Sequence, residues 1–136
     1  MKDDIKPGLE TTVRYTVDAA RVTRHMGEDL GVYATPALLR DIEHTSHNLL
    51  QEHLDEGEDS VGTRIDLQHL AATLEGVEVT LDVRVTKVDR RAVTLEFTAS
   101  DGFDELARGT HSRFVVDKDK LRQRLEDKAA RIRGDR

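Results

Sequence analysis

The sequence predicts an α+β fold in which an antiparallel five-stranded sheet wraps around one central apolar helix, with a further helix at the C-terminus. Three observations carry this. One apolar stripe at helical spacing follows Thr35-Pro36, period-two alternation appears before it and repeatedly after it, and turn pairs separate the later alternating runs. A lone apolar helix has to bury its stripe, and the concave face of a curved sheet is the surface available to it. That arrangement leaves a sheet edge exposed, which points to pairing with a second copy.

Val13, Tyr15 and Val17 alternate with Arg14 and Thr16 as a short half-buried strand. The stretch from Arg21 to Ala34 has no clean period and contains Gly27 and Gly31, so it reads as irregular with a helical turn at most. Thr35-Pro36 then signals a helix start, with threonine as the cap and proline at the first helical position, where its missing N–H is not needed. Leu38, Leu39, Ile42, Leu49 and Leu50 form the stripe, which should end near Leu54 before the acidic run 55–59. Val61, Thr63, Ile65, Leu67 and His69 are expected on one strand face, with Gly62, Arg64, Asp66 and Gln68 on the other. After a turn at Glu75-Gly76 comes the cleanest alternation, Val77, Val79, Leu81, Val83 and Val85. Asp89-Arg90-Arg91 turns into a strand with Val93, Leu95, Phe97 and Ala99 inward, and Asp101-Gly102 marks another hairpin. A last strand covers about Glu105 to Val116, polar and apolar on both faces, so that its register is not defined. Asp117 should cap a charged helix over 117–136, whose Leu121, Leu125 and Ile132 leave a narrow stripe. The order of elements is that of a hot-dog-like layout.

At 136 residues and 15.3 kDa, with no linker or internal repeat, the chain reads as one domain over 1–136. Only 37% of it is apolar and 4% aromatic, a thin core for so short a chain, which again favours a homodimer, with a tetramer equally compatible. The net charge of -6 opposes general binding to nucleic acid. The lack of cysteine removes disulfides, thiol nucleophiles and thiolate metal sites. No run approaches the ~18 apolar residues of a membrane span, and the start MKDDIKPG lacks the apolar centre of a signal peptide. A soluble cytoplasmic domain with no membrane partner is the expectation.

Two side chains conflict with their surroundings. Glu43, one turn after Leu39, borders the apolar stripe, and His69 stands at the end of a strand on its apolar side. Each has a plain reading: Glu43 as a stripe-edge residue that reaches water or an arginine, His69 as a satisfied inward histidine. If the helix lies on that strand, however, an acid and an imidazole converge, a couple suited to general acid–base or nucleophilic chemistry near neutral pH. Glu43 and His47 lie one helical turn apart, but His44 falls on the polar face, so the three convergent ligands zinc requires are not there, and no metal is expected. No Gly-x-Ser-x-Gly elbow occurs.

These residues resemble the fluoroacetyl-CoA thioesterase family of hot-dog proteins. The likeness runs through Ala34-Thr35-Pro36 with Glu43 eight positions after the threonine, Val61-Gly62-Thr63 leading to His69-Leu70-Ala71, Ser100-Asp101-Gly102-Phe103-Asp104-Glu105, and Gly109-Thr110-His111, covering most of the chain up to about Val116. It implies an acyl-CoA thioester hydrolase, without cofactor, with Thr35, Glu43 and His69 as the catalytic set. Glu43 would attack the carbonyl or activate water, His69 would move the proton, and Thr35 would orient the carboxylate or the substrate. Backbone N–H groups at the helix start or at Gly62 would meet the oxyanion, Gly62 being a candidate substrate-binding position; a bulge or tight packing explains that glycine equally well. The family's phenylalanine-rich lid is replaced by Met26-Gly27-Glu28-Asp29-Leu30-Gly31-Val32-Tyr33, with one aromatic, so another short acyl group is expected rather than fluoroacetyl. The tail cations, or Arg90 and Arg91 at their turn, are candidates for coenzyme phosphates. The alternatives are a non-catalytic hot-dog module binding an acyl thioester, and a hot-dog dehydratase or hydratase.

Overall fold

Strong alternation builds the sheet, and the helical stripe fills it. In the computed structural model, which describes residues 1–134, the order is β1 (Glu10–Thr16), a 3₁₀ turn (Ala19–Arg21), β2 (Val22–Thr23), β3 (Val32–Tyr33), α1 (Thr35–Gln51), β4 (Glu58–His69), β5 (Glu78–Asp89), β6 (Ala92–Ser100), β7 (Glu105–Asp117) and α2 (Lys118–Arg133). The five long strands form one antiparallel sheet in the order β1-β5-β6-β7-β4. Strand β4, which follows the helix directly, therefore lies at the edge far from β1.

Val79, Leu81, Val83 and Val85 of β5 and Val93, Leu95, Phe97 and Ala99 of β6 are buried, and α1 lays Leu38, Ile42, Leu49 and Leu50 among them. Ser46 occupies the position between Ile42 and Leu50 on that face; its hydroxyl donates to the Ile42 carbonyl at 2.7 Å, so the buried polar atom is satisfied. Four expectations are corrected. Thr35 is not the cap: Ala34 holds that position without a side-chain bond, and Thr35 is the first helical residue. The helix stops at Gln51, short of Leu54. The irregular segment contains the short pair β2–β3 besides its 3₁₀ turn. Most consequentially, β4 carries a bulge at Thr63, between Gly62 and Arg64 in its pairing with β7. One extra residue reverses the alternation. Ser60 and Gly62, opposite Val115 and Arg113, face inward together with Ile65, Leu67 and His69, while Val61, 37% exposed, turns outward.

The segment before α1 is held by polar contacts rather than by bulk. Tyr33, buried, donates to Asp41 at 2.5 Å and meets the Tyr15 hydroxyl at 2.8 Å. Arg21 grips Asp41 with two bonds of 2.9 and 3.0 Å and lies over the Tyr15 ring at 4.9 Å. Burial pushes the Tyr15 phenol up to about 12 and raises Tyr33 too, with Asp41 beside it. Bidentate arginine–carboxylate geometry fixes direction as well as distance, so α1 is anchored nearly two turns beyond its start. At the other end of the chain Asp117 accepts from the Lys120 N–H, and Gly134 closes α2 at φ 84°. No residue of α2 is buried. Among the described residues no helix is long and apolar enough to cross a membrane.

Gly109 is where β7 approaches β4 most tightly. A Cβ there would stand 1.9 Å from the Asp66 carbonyl oxygen and 2.7 Å from the Phe97 ring. Gly109→Ala should cost about 3 kcal/mol, at the upper end of overpacking effects because backbone has to move; a shifted urea midpoint at unchanged slope is the readout.

Candidate active site

Two groups of side chains gather on the inner face along β4. The first is at its C-terminal end. His69 pairs with Ala107, and the next two amides, of Leu70 and Ala71, both point to the Leu106 carbonyl at 2.7 and 3.3 Å, which fixes where the strand stops. The start of α1 is fixed as firmly. The Tyr33 amide bonds to the Thr73 carbonyl at 2.9 Å, and the Ala34 amide to the Arg21 carbonyl at 2.9 Å. Between these ends Thr35 Oγ1 stands 2.7 Å from His69 Nδ1. Two arrangements fit this contact: the hydroxyl donates to Nδ1 with the ring proton on Nε2, or Nδ1–H donates to the hydroxyl oxygen. That Nε2 is buried and bonds to nothing among the described residues. The first arrangement, an imidazole nitrogen that accepts from an exposed hydroxyl, is the one that activates an alcohol.

The second group lies where the bulge turns Gly62 inward. Arg113, buried, donates from Nε to Ser60 Oγ at 2.9 Å and from Nη2 to the Ser60 carbonyl at 2.8 Å, and its Nη1 meets His111 Nε2 at 3.2 Å. His111 Nδ1 donates to the Arg64 carbonyl at 2.8 Å. The remaining reach of Arg113 Nη1 is toward Glu43 Oε2 at 3.8 Å, an ion pair without a hydrogen bond. Burial lowers the Arg113 guanidinium, with the Glu43 charge opposing it, and lowers the His111 imidazole. Gly62 is there because of packing: a Cβ would come within 2.8 Å of Glu43 Oε2 and 3.2 Å of His111 Cε1.

The two groups are separate within one chain. Thr35 and Glu43 are eight residues apart on α1, about 12 Å along its axis, and His69 and Gly62 are about 20 Å apart along β4. The sequence placed Glu43 and His69 together; instead His69 meets Thr35, while Glu43, its side chain 41% exposed, meets Arg113 and bonds to neither of the other two. His47, one turn after Glu43, is engaged with Asp59 at 2.7 Å. Arg113 and Ser60 went unnoticed in the sequence, and His111 entered only through the family resemblance, with no direction assigned to it. Their signal was present, since His111 and Arg113 alternate with Ala107, Gly109 and Val115, but without the bulges in the β4 and β6 pairings no register could be assigned to β7.

Comparison with known proteins identifies the family and the fold. The family model for fluoroacetyl-CoA-specific thioesterase matches residues 17–119. A fluoroacetyl-CoA thioesterase from Streptantibioticus cattleyicolor is 30% identical over 135 residues, 94% of this chain and 97% of the relative. A solved structure of the fluoroacetyl-CoA thioesterase FlK superposes with a TM-score of 0.81 at 28% identity, covering 90% of this chain and 96% of that one. A hot-dog-like protein from Thermanaerovibrio acidaminovorans superposes at 0.84 with 26% identity over 93% and 95% of the two chains. The architecture is thus the hot-dog fold.

The His111 bonds have a pH signature. Its neutral form donates from Nδ1 and accepts at Nε2, and protonation would turn Nε2 into a donor aimed at a guanidinium. With the folded value held below the unfolded value of about 6.5, the unfolded chain takes up more protons as pH falls through that point, so stability declines on acidification. Nitrogen-15 spectra should show His111 neutral with its proton on Nδ1 at pH 7, and a His111→Asn variant should lose less stability than wild type between pH 7 and pH 5.

Proposed function

The chain belongs to the fluoroacetyl-CoA-specific thioesterase family, and from that premise we propose that it hydrolyses a short-chain acyl-CoA thioester with Thr35, His69 and Glu43 as its catalytic set. The 2.7 Å contact between Thr35 Oγ1 and His69 Nδ1 carries this reading. Thr35 Oγ attacks the thioester carbonyl carbon while its proton passes to His69 Nδ1. Backbone N–H groups at the start of α1 or at Gly62 receive the oxyanion, each worth about 3 kcal/mol of barrier. Collapse of the tetrahedral intermediate breaks the C–S bond, and His69 returns the proton to the departing sulfur. Water, deprotonated by the same imidazole, then hydrolyses the acyl-threonine. Glu43, 3.8 Å from Arg113, faces the acyl group from the Gly62 side.

A second assignment of roles has its own support. Glu43 is a partly exposed carboxylate next to a buried cation, which suits direct attack or activation of water, with Thr35 only orienting. Thr35→Ala separates the two. As nucleophile its loss should lower kcat by about 10⁶-fold, as in other nucleophile deletions, with Thr35→Ser retaining much of the rate; as an orienting group it should cost about tenfold or less. A thiol-release assay over acyl chain lengths reads both. The choice of a short acyl group other than fluoroacetyl is supported by Tyr33: the one aromatic of the segment 26–33 is buried and bonded to Asp41 and Tyr15, away from any covering role.

The working unit we propose is a homodimer. Strand β4 ends the sheet, and two such edges paired antiparallel bring the Gly62 end of one to the His69 end of the other. Glu43 and Arg113 of one copy then complete the Thr35–His69 pair of the other. Mixing and refolding inactive Thr35→Ala and Glu43→Ala chains should therefore restore about a quarter of the wild-type rate, because half of the dimers are mixed and each has one intact site. No restoration, with dimers formed, would place the whole set within a single chain.

A further inference from the structure

Behind the Gly62 end of β4, on the outer face of the sheet, lies a cationic hollow with an aromatic floor. Phe114, opposite both Val61 and Ala92 in the sheet, is 43% exposed. It lines two adjoining depressions, one of about 640 Å³ with Arg90 and Arg91 and one of about 240 Å³ with Arg91, Lys120 and Arg124. The side chains of Arg90, Lys120 and Arg124 make no hydrogen bond or ion pair among the described residues, and Arg91 spends one nitrogen on Glu58 at 3.0 Å. The two acids of the hollow do not cancel this cluster: Asp117 is committed as the cap of α2, which leaves Asp89. Among the described residues Arg90 is also the one non-glycine residue with positive φ, 56°, in a two-residue turn where asparagine or glycine is the usual occupant. Backbone held in that region costs free energy and is characteristic of sites where a side chain must point a set way. The cluster stands out against the rest of the chain. Residues 118–136 hold eight of the 21 Lys and Arg but four of the 27 Asp and Glu, so the negative excess lies elsewhere.

We infer that this hollow binds the 3′-phosphorylated adenine nucleotide of the coenzyme, the adenine stacked on Phe114 and the phosphates held by Arg90, Arg91, Lys120 and Arg124. The inference rests on the thioesterase reading above and extends it to the carrier of the acyl group. A base stacks on an aromatic face regardless of its sequence identity, and clustered guanidinium groups suit phosphate oxygens. Antiparallel pairing of two β4 strands brings the Gly62 end of one copy, where the hollow lies, to the His69 end of the other, so the pantetheine arm has to pass around the strand ends from the outer face to the inner one.

The test compares two thioesters of the same acyl group, acyl-CoA and the S-acyl N-acetylcysteamine, which has no nucleotide. The variants are Arg90→Ala/Arg124→Ala and Phe114→Ser. The double variant should raise KM for acyl-CoA by tenfold or more, roughly the worth of charge-assisted bonds to phosphate, with kcat and all constants for the cysteamine thioester unchanged. Calorimetry with adenosine 3′,5′-bisphosphate should show binding to wild type and weakening by at least tenfold in the double variant. Equal KM values on acyl-CoA, or bisphosphate binding that the variants do not alter, would overturn the inference. So would loss confined to an acyl-carrier-protein thioester, which would assign the patch to an acidic protein instead. Failure of wild type to cleave either small thioester would refute the thioesterase reading itself, and the calorimetric arm would then decide the nucleotide site alone.

Discussion

One additional residue in β4 organises the site. A regular strand from Glu58 to His69 would alternate without interruption, and Gly62 and His69 could not share a face. The bulge at Thr63 brings them to the same side, and Ser60 with them. Ser60 in turn supplies two of the acceptors that hold Arg113 inside the sheet. A buried guanidinium is tolerated only when its donors are met, and here a hydroxyl, a carbonyl, an imidazole and a distant carboxylate share the task. Remove the bulge and the serine turns to solvent, the arginine loses its anchor, and the carboxylate on α1 faces the wrong strand neighbours.

Much of the fold was legible because periodicity is a direct consequence of burial. The stripe at Leu38, Ile42, Leu49 and Leu50 and the alternation in β5 and β6 gave the helix, the strands and their hairpins, and with them the hot-dog layout that the comparisons support. Bulges are different: an inserted residue leaves no mark in composition and only inverts parity from that point on. This is why Val61 was assigned inward and Gly62 outward, and why β7 had no register. Thr35 shows a related failure. Its place before Pro36 matched a helix cap, but the cap is one residue earlier and the hydroxyl is free to reach His69. Local signals name a residue's neighbours in the chain; they are silent about a histidine 34 positions away.

Glu43 was singled out on sound grounds, and its position bears on how the reading should be weighed. An acid beside an apolar stripe needs either water or a cation. It has both, through partial exposure and Arg113. The same facts agree with the plain reading of a stripe-edge acid and with the catalytic one. What distinguishes them is the company: a buried arginine, a buried histidine and a glycine whose Cβ would crowd Glu43 gather at that carboxylate, more than a stripe-edge residue requires.

Gly62 also limits how this scaffold can change. Enzymes often alter chain-length preference by exchanging small residues for large ones along the acyl channel. At this position a methyl group would press on the flexible end of Glu43, which would have to move aside, and on the His111 ring. A larger residue here displaces the acid as well, so selection for a new acyl size acts more readily elsewhere, on the irregular segment ahead of α1 or on the inward side chains Ile65 and Leu67. Homologues with different substrates should then diverge at those places while this one backbone position stays bare.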